Sequence, residues 1–317
     1  MNEAMKIIKP GLATSVQDLG RKGYQQYGVV VAGAMDDFAL QAANLLVGNK
    51  RGEAALEIAL IGPEIMMLEN TVVAICGADL SPKLDGEAIS CWKSYFVEKG
   101  QRLSFGKPNN GGYAYLAVAG GLKTPEVMGS RSTYVKTEMG GYKGRFLKKG
   151  DYLETGFPSS KLKQLSGRSI KITKAMDYQS RRHIRVVLGP DRQGFTEESI
   201  QQFLTSPYKV TPQSDRMGYR LDGPPLDGEA DIISDAVLPG TIQVPANGKP
   251  IVLLADRQTT GGYARIASVI SVDLPYVAQQ RAGNELRFAA VSVREAQQQY
   301  VKREFLLQRL NMAAGKF

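Results

Sequence analysis

A chain of 317 residues has room for two domains of roughly 150 residues each. Its 43% hydrophobic and 22% charged content fits a globular protein with a sizeable core and excludes a disordered one. The net charge of +9, from 40 Lys and Arg against 31 Asp and Glu, invites a nucleic-acid reading that the distribution of those charges does not support.

In chain order the pattern is one of short strands punctuated by Gly and Pro, with few helices. A strand is expected at 6–8, then a helix after Asp36, a suitable N-cap, with Ala39, Ala42, Ala43, Leu46 and Val47 at helical spacing and Gly48 as terminator. Strands follow at 57–60, 72–76 and 114–119, with a turn at Asp85-Gly86. Between Gly156 and His183 lie seven Lys or Arg against Asp177 alone, a net +6. No aromatic residues interleave with these charges as base stacking requires, so the stretch reads as a solvated basic linker. Beyond it come a strand at 185–188, a helix after Thr196 with Glu197 and Glu198 in its first turn, and strands at 240–244, 250–255 and 267–272. A last helix begins at Ser292, with Glu295 three residues on completing a capping box.

The pieces recur. Ile8-Lys9-Pro10-Gly11, Met35-Asp36, Gly62-Pro63 and Gly111-Gly112-Tyr113-Ala114 are followed in the same order by Val187-Leu188-Gly189-Pro190, Asp215-Arg216-Met217, Gly240-Thr241 and Gly261-Gly262-Tyr263-Ala264. The expected organisation is a mainly β protein with a few helices (α+β): a first β domain over 1–160, a basic linker over 161–183, a second β domain over 184–290, and a C-terminal helix over 291–317. Internal duplication accounts for the repeat.

Several chemistries are excluded by what is missing. One histidine, His183, cannot build a multi-histidine metal site, and two cysteines cannot supply a disulfide framework or a four-thiolate zinc site, so no metal is expected. There is no G-x-S-x-G elbow, no G-x-x-x-x-G-K-[ST] loop and no G-x-G-x-x-G. No apolar run reaches the ~20 residues a membrane-spanning helix needs, and no secretory signal is expected; the expected location is cytoplasmic, with neither membrane nor nucleic acid as partner.

Four clusters carry residues that a core would not choose. Gly33-Ala34-Met35-Asp36 opens a helix whose N-terminus is a possible anion site. Gly129-Ser130-Arg131-Ser132-Thr133 is a hydroxyl-rich turn around a guanidinium, whose planar fork suits a carboxylate or phosphate. Ser214-Asp215-Arg216-Met217-Gly218-Tyr219-Arg220 sets two arginines and a tyrosine in five residues. Asp256-Arg257-Gln258-Thr259-Thr260-Gly261-Gly262-Tyr263 follows an apolar strand directly, where sites on β scaffolds tend to lie.

With these motifs the chain resembles the KipA-like proteins, also known as the C component of 5-oxoprolinase and as the carboxyltransferase (allophanate hydrolase subunit 2) domain family. The likeness also takes in Gly11–Gly20, Ala43–Asn49 and Gly240–Pro245. The resemblance implies two cyclophilin-like β-barrel domains. It also implies a role as one of three subunits of an ATP-dependent 5-oxoprolinase, which opens the lactam of 5-oxo-L-proline to L-glutamate. The A and B components of that enzyme would be the partners, the KipI-like B component most directly, with ATP bound at least partly by a partner. A regulatory role, binding a KipI-like kinase inhibitor, is the alternative. A biotin-dependent carboxyltransferase is a further one, although Ala4-Met5-Lys6 lies too near the start to be a biotin-carrying hairpin. On this reading Arg216 and Arg257 hold a carboxylate or a transferring phosphoryl group, and Asp256 or Asp36 orients a water or accepts a proton. Ser130, Arg131, Gln258, Thr259 and Tyr219 line the substrate site.

Overall fold

A computed structural model describes residues 2–171, 177–178, 183–229 and 231–314. The chain divides into two compact units, one of Met1–Arg21, Ala32–Gln179 and Leu306–Phe317, the other of Lys22–Val31 and Ser180–Phe305.

In the first unit the elements are β1 (Asn2–Lys9), β2 (Ala13–Gln17), α1 (Asp37–Leu46), β3 (Ala55–Ala59), β4 (Glu64–Met67), β5 (Thr71–Asp79), β6 (Lys83–Leu84), β7 (Glu87–Ala88), β8 (Lys93–Val97), β9 (Arg102–Ser104), β10 (Asn110–Val118), β11 (Tyr152–Thr155) and α2 (Leu162–Leu165). They make a six-stranded sheet, β11-β1-β4-β9-β6-β7, and a five-stranded one, β2-β3-β10-β5-β8. Alternate residues of both sheets meet in one core: Met5 and Ile7, Leu56 and Ile58, Ile65 and Met67, Val73 and Ile75, Leu116 and Val118. Helix α1 packs against β5 and β10, its small residues Ala39, Ala42 and Ala43 fully buried. Gly77 is needed for that approach, because a Cβ there would lie 2.5 Å from the Tyr113 carbonyl oxygen and 3.3 Å from Ala39 Cβ.

The second unit contains β12 (His183–Leu188), α3 (Glu197–Thr205), β13 (Tyr208–Val210), β14 (Gly218–Asp222), β15 (Asp231–Ala236), β16 (Thr241–Val244), β17 (Ile251–Leu253), β18 (Thr260–Val269), α4 (Leu274–Ala278) and β19 (Glu285–Ala290). Helix α5 (Val293–Ala314) follows β19. The order β12-β19-β13-β14-β17-β16-β18 returns to β12 through the pair Val186↔Val269, closing a seven-stranded barrel, and β15 hangs on β18 as an eighth strand. Phe203 of α3 stacks on Phe288 of β19 with ring centroids 4.6 Å apart. Ser292 and Glu295 form the expected capping box, the Glu295 carboxylate accepting from Ser292 N at 2.8 Å and Ser292 Oγ accepting from Glu295 N at 3.2 Å.

The mostly β character is as expected, and all eight expected strands overlap observed ones. Gly111-Gly112-Tyr113-Ala114 lies at the start of β10, and Gly261-Gly262-Tyr263-Ala264 at the start of β18. Elsewhere the halves diverge: Met35-Asp36 leads into a helix, whereas Arg216-Met217 leads into strand β14. Among the described residues the strands of the first unit fall into two sheets, and those of the second close into the seven-stranded ring.

The stretch read as a solvated linker behaves differently over its described part. Leu165 is fully buried, Ser94 Oγ donates to the Leu165 carbonyl at 2.7 Å, and Ser166 Oγ accepts from Phe96 N at 3.0 Å. Ser169 bridges Lys93, so residues up to Ile170 dock along β8. Residues 172–176 and 179–182 of that stretch lie outside the described residues. Leu165→Ala should destabilise the protein by about 2–4 kcal/mol in urea unfolding, as for a buried leucine; a change near zero is what a solvated linker would give.

Candidate functional site

The second unit gathers five of the expected site residues at one rim of its barrel. Strand β17 pairs antiparallel with β14, Gly218 opposite Leu253, which brings the residues before β14 alongside those after β17. Two main-chain bonds carry the pairing past the strands: Leu254 N donates to the Met217 carbonyl and Asp256 N to the Arg216 carbonyl, both at 2.9 Å. The side chains then complete the match. Arg216 Nε donates to Asp256 Oδ2 at 2.9 Å and Arg216 Nη2 to Asp256 Oδ1 at 3.0 Å. This two-pronged pair, mostly removed from water, fixes the shape of the turn.

Arg257 is held otherwise. It is 5% exposed, with Nε donating to the Val237 carbonyl at 3.3 Å and Nη1 to the Leu254 carbonyl at 3.4 Å. No carboxylate among the described residues neutralises it, and burial pushes the guanidinium pKa down to about 10, so it stays cationic at neutral pH. Gln258 Nε2 donates to Gln243 Oε1 at 3.3 Å, and Gln243 Nε2 donates to the Tyr263 carbonyl at 3.2 Å. Gly261 leaves room for this buried amide, since a Cβ there would come within 2.5 Å of Gln243 Nε2. Thr259 contributes its carbonyl, accepting from Val237 N at 3.1 Å. Tyr219 belongs to the core: its hydroxyl donates to the Ala278 carbonyl at 2.6 Å and its ring is buried.

Ser130, Arg131 and Asp36 belong to the first unit. Ser130 and Ser132 serve Asp18, whose Oδ1 accepts from Ser130 Oγ at 2.7 Å and Ser132 Oγ at 2.5 Å, while its Oδ2 accepts from Arg131 N at 2.6 Å. The Arg131 guanidinium turns to Glu126 at 2.9 Å, a largely solvated pair. The turn expected to bind an anion therefore already surrounds one, the buried Asp18. Asp36 caps α1, its Oδ1 accepting from Ala39 N at 2.8 Å and its Oδ2 from the Tyr178 hydroxyl at 2.7 Å. Tyr115 accepts from Asp36 N at 2.8 Å and donates to Glu57 at 2.7 Å. The possible anion site at the start of α1 is thus filled by Asp36 itself and fully buried.

Sequence reading missed Val237, Leu254 and Gln243, which hold Arg257 and Gln258. Gln243 alone carried a signal, an amide between Ile242 and Val244 on a strand buried along its whole length. Among the described residues no group of three or more His, Cys, Asp or Glu is placed to hold a metal ion, and no helix is long and apolar enough to cross a membrane. The second unit is thus a closed β-barrel carrying a braced turn and a buried cation at its rim.

Residues 27–290 match the carboxyltransferase domain, subdomains A and B, and the chain belongs to that family. Within it, the chain is 42% identical over 294 residues to the C component of 5-oxoprolinase from Escherichia coli, covering 92% of this chain and 93% of that one. The corresponding 5-oxoprolinase component of Haemophilus influenzae is 35% identical, with 93% and 94% covered. The crystal structure of the Kluyveromyces lactis urea carboxylase superposes with a TM-score of 0.88 at 31% identity, covering 98% of this chain but only 29% of that one.

The Arg216–Asp256 pair and Arg257 should differ in how much stability depends on them. Asp256→Ala leaves Arg216 without its carboxylate in a mostly buried setting and should cost about 3 kcal/mol. Arg257→Met removes a buried charge and should leave urea stability within about 1 kcal/mol of the parent. Equal losses for both would place Arg257 in the structural frame with Arg216.

Proposed function

We propose that this chain is the C component of an ATP-dependent 5-oxoprolinase, acting with the A and B components to open 5-oxo-L-proline to L-glutamate, and that Arg257 binds the substrate carboxylate. Near-complete coverage of the 5-oxoprolinase components, against under a third of the urea carboxylase, supports this assignment over carboxyl transfer. The observation that carries the site is the buried Arg257 guanidinium held by carbonyls alone. Its charge is the complement of a carboxylate, and the low local dielectric strengthens that attraction.

An unactivated five-membered lactam is a poor electrophile. Transfer of the ATP γ-phosphoryl group to the lactam oxygen, with ADP leaving, activates the carbonyl carbon. One water adds there and the ring C–N bond breaks, the nitrogen taking a proton. The acyl phosphate that results is hydrolysed by a second water to the free γ-carboxylate and phosphate. Arg257 anchors the end of the substrate that does not react, and the Gln258 side chain offers amide hydrogen-bonding groups for the ring. The Arg216–Asp256 pair keeps the turn in shape; both oxygens of the carboxylate are engaged by the guanidinium, so we assign Asp256 a positioning role. Asp36, committed to the α1 cap, takes no part. ATP binding falls at least partly to a partner, since this chain has no phosphate loop.

The test is glutamate release by the three components mixed together. Arg257→Ala should raise the KM for 5-oxoproline by about 100-fold, with a smaller effect on kcat and none on the KM for ATP, as expected of uniform carboxylate binding. An unchanged KM removes Arg257 from the site. Tight binding among the components with no turnover in any mixture would instead favour the regulatory role.

A further inference from the structure

Strand β15 itself contributes no residue to the site described above. It is the last strand of its sheet, paired with β18 alone. The pairing runs Asp231↔Tyr263 and Asp235↔Gly261, four residues against two, so 232–234 bulge outward. Ile233 on that bulge is 95% exposed, and Leu238 just beyond is also exposed. The edge keeps two of the usual guards, the bulge and the charges of Asp231 and Asp235, but it has no proline and presents an apolar knob between those charges.

The charge around the knob is acidic. From Leu221 to Gly248 there are five acids (Asp222, Asp227, Glu229, Asp231 and Asp235) and no Lys or Arg, in a protein whose net charge is +9. Asp235 is latched by Arg265 at 2.7 Å and Asp222 by Lys249 at 2.9 Å, leaving Asp227, Glu229 and Asp231 exposed.

We infer that the open edge of β15 is a docking strand onto which another component of the complex adds a strand of its own, with Ile233 entering an apolar pocket and Lys or Arg beside Asp231. This rests on the 5-oxoprolinase reading. Charge selects that occupant over a second copy of this chain: an antiparallel self-pairing centred on Ile233 would set Asp231 opposite an Asp235 already paired with Arg265, and the copy's edge has no Lys or Arg to offer Asp231. The location also has a functional consequence. Val237, the residue after β15, supplies the carbonyl that holds Arg257 Nε, so an added strand would steady the anchor of the proposed carboxylate site. Addition of a strand to an exposed edge is a recurring way for one chain to recognise another.

The test measures binding of the full-length chain to the purified B component and to the purified A component, for the parent, Ile233→Lys and Asp231→Lys. Each variant should lose about tenfold or more in affinity for one of the two components. Unfolding midpoints should stay unchanged, because both residues are exposed. Parent-like binding by both variants overturns the docking strand and leaves the 5-oxoprolinase reading standing. Failure of the parent to bind either component overturns both. A parental homodimer that Ile233→Lys converts to monomer assigns the edge to a second copy and overturns the inference.

Discussion

The buried charge of Arg257 is the interaction on which the reading of this protein turns. A guanidinium moved out of water loses hydration that two main-chain carbonyls only partly replace. The chain has the means to neutralise arginines and uses them elsewhere. Arg145 meets Asp151, Arg185 meets Asp273, Arg216 meets Asp256 and Arg265 meets Asp191, each through two nitrogens and two oxygens of the pair. Two of these carboxylates are held below their ordinary range. For Asp191 the chief cause is the hydrogen bond from Arg265; for Asp151 burial pushes upward, and the bonds from Arg145 and Lys148 N together overcome it. Against four such pairs, Arg257, one residue after Asp256 and held by carbonyls, bears a desolvation cost that a bound anion would offset.

That tolerance depends on the barrel. Its hydrogen-bond ring is complete, so the turn between β17 and β18 is anchored at both ends by strands that cannot slide independently. The Arg216–Asp256 pair then locks the turn to the residues preceding β14, and the Val237 carbonyl reaches in from the end of β15. The cation is thus fixed by three separate segments before any ligand arrives, which is what preorganised recognition requires.

Much of the fold was legible because it is written in local patterns. Apolar runs marked all eight expected strands, and Asp36, Thr196 and Ser292 announced three helices whose caps form as chemistry requires. What was not legible is non-local. Asp18 stood out only as a neighbour of the Gly33–Asp36 cluster and part of the Gly11–Gly20 motif, and its donors Ser130 and Ser132 come from more than a hundred residues away. The anion-binding look of the Ser130–Thr133 turn came from donors already committed to that carboxylate. Leu165 is a lone buried leucine among lysines and arginines, and composition hid its docking on β8. The turn at Asp256–Thr259 was found from residue types, but the division of roles between Arg216 and Arg257 depends on a pairing across forty residues. The two- and three-residue strands β6, β7, β9 and β13 are too short for any period to register.

The comparison with urea carboxylase sharpens what a separate polypeptide must carry on its surface. Where the carboxyltransferase domain is part of a longer chain, as in the Kluyveromyces lactis enzyme, tethering keeps neighbouring modules at high effective concentration and little contact affinity is needed. On the proposed reading this chain corresponds to almost the whole of a bacterial 5-oxoprolinase component, and such a component must find its partners by diffusion and hold them by surface complementarity. Segregated charge serves both needs: a basic body discourages self-association, while an acidic stretch on one edge steers a basic surface toward it and suppresses wrong partners. An exposed isoleucine in the middle of that stretch adds the apolar contact that steering alone lacks.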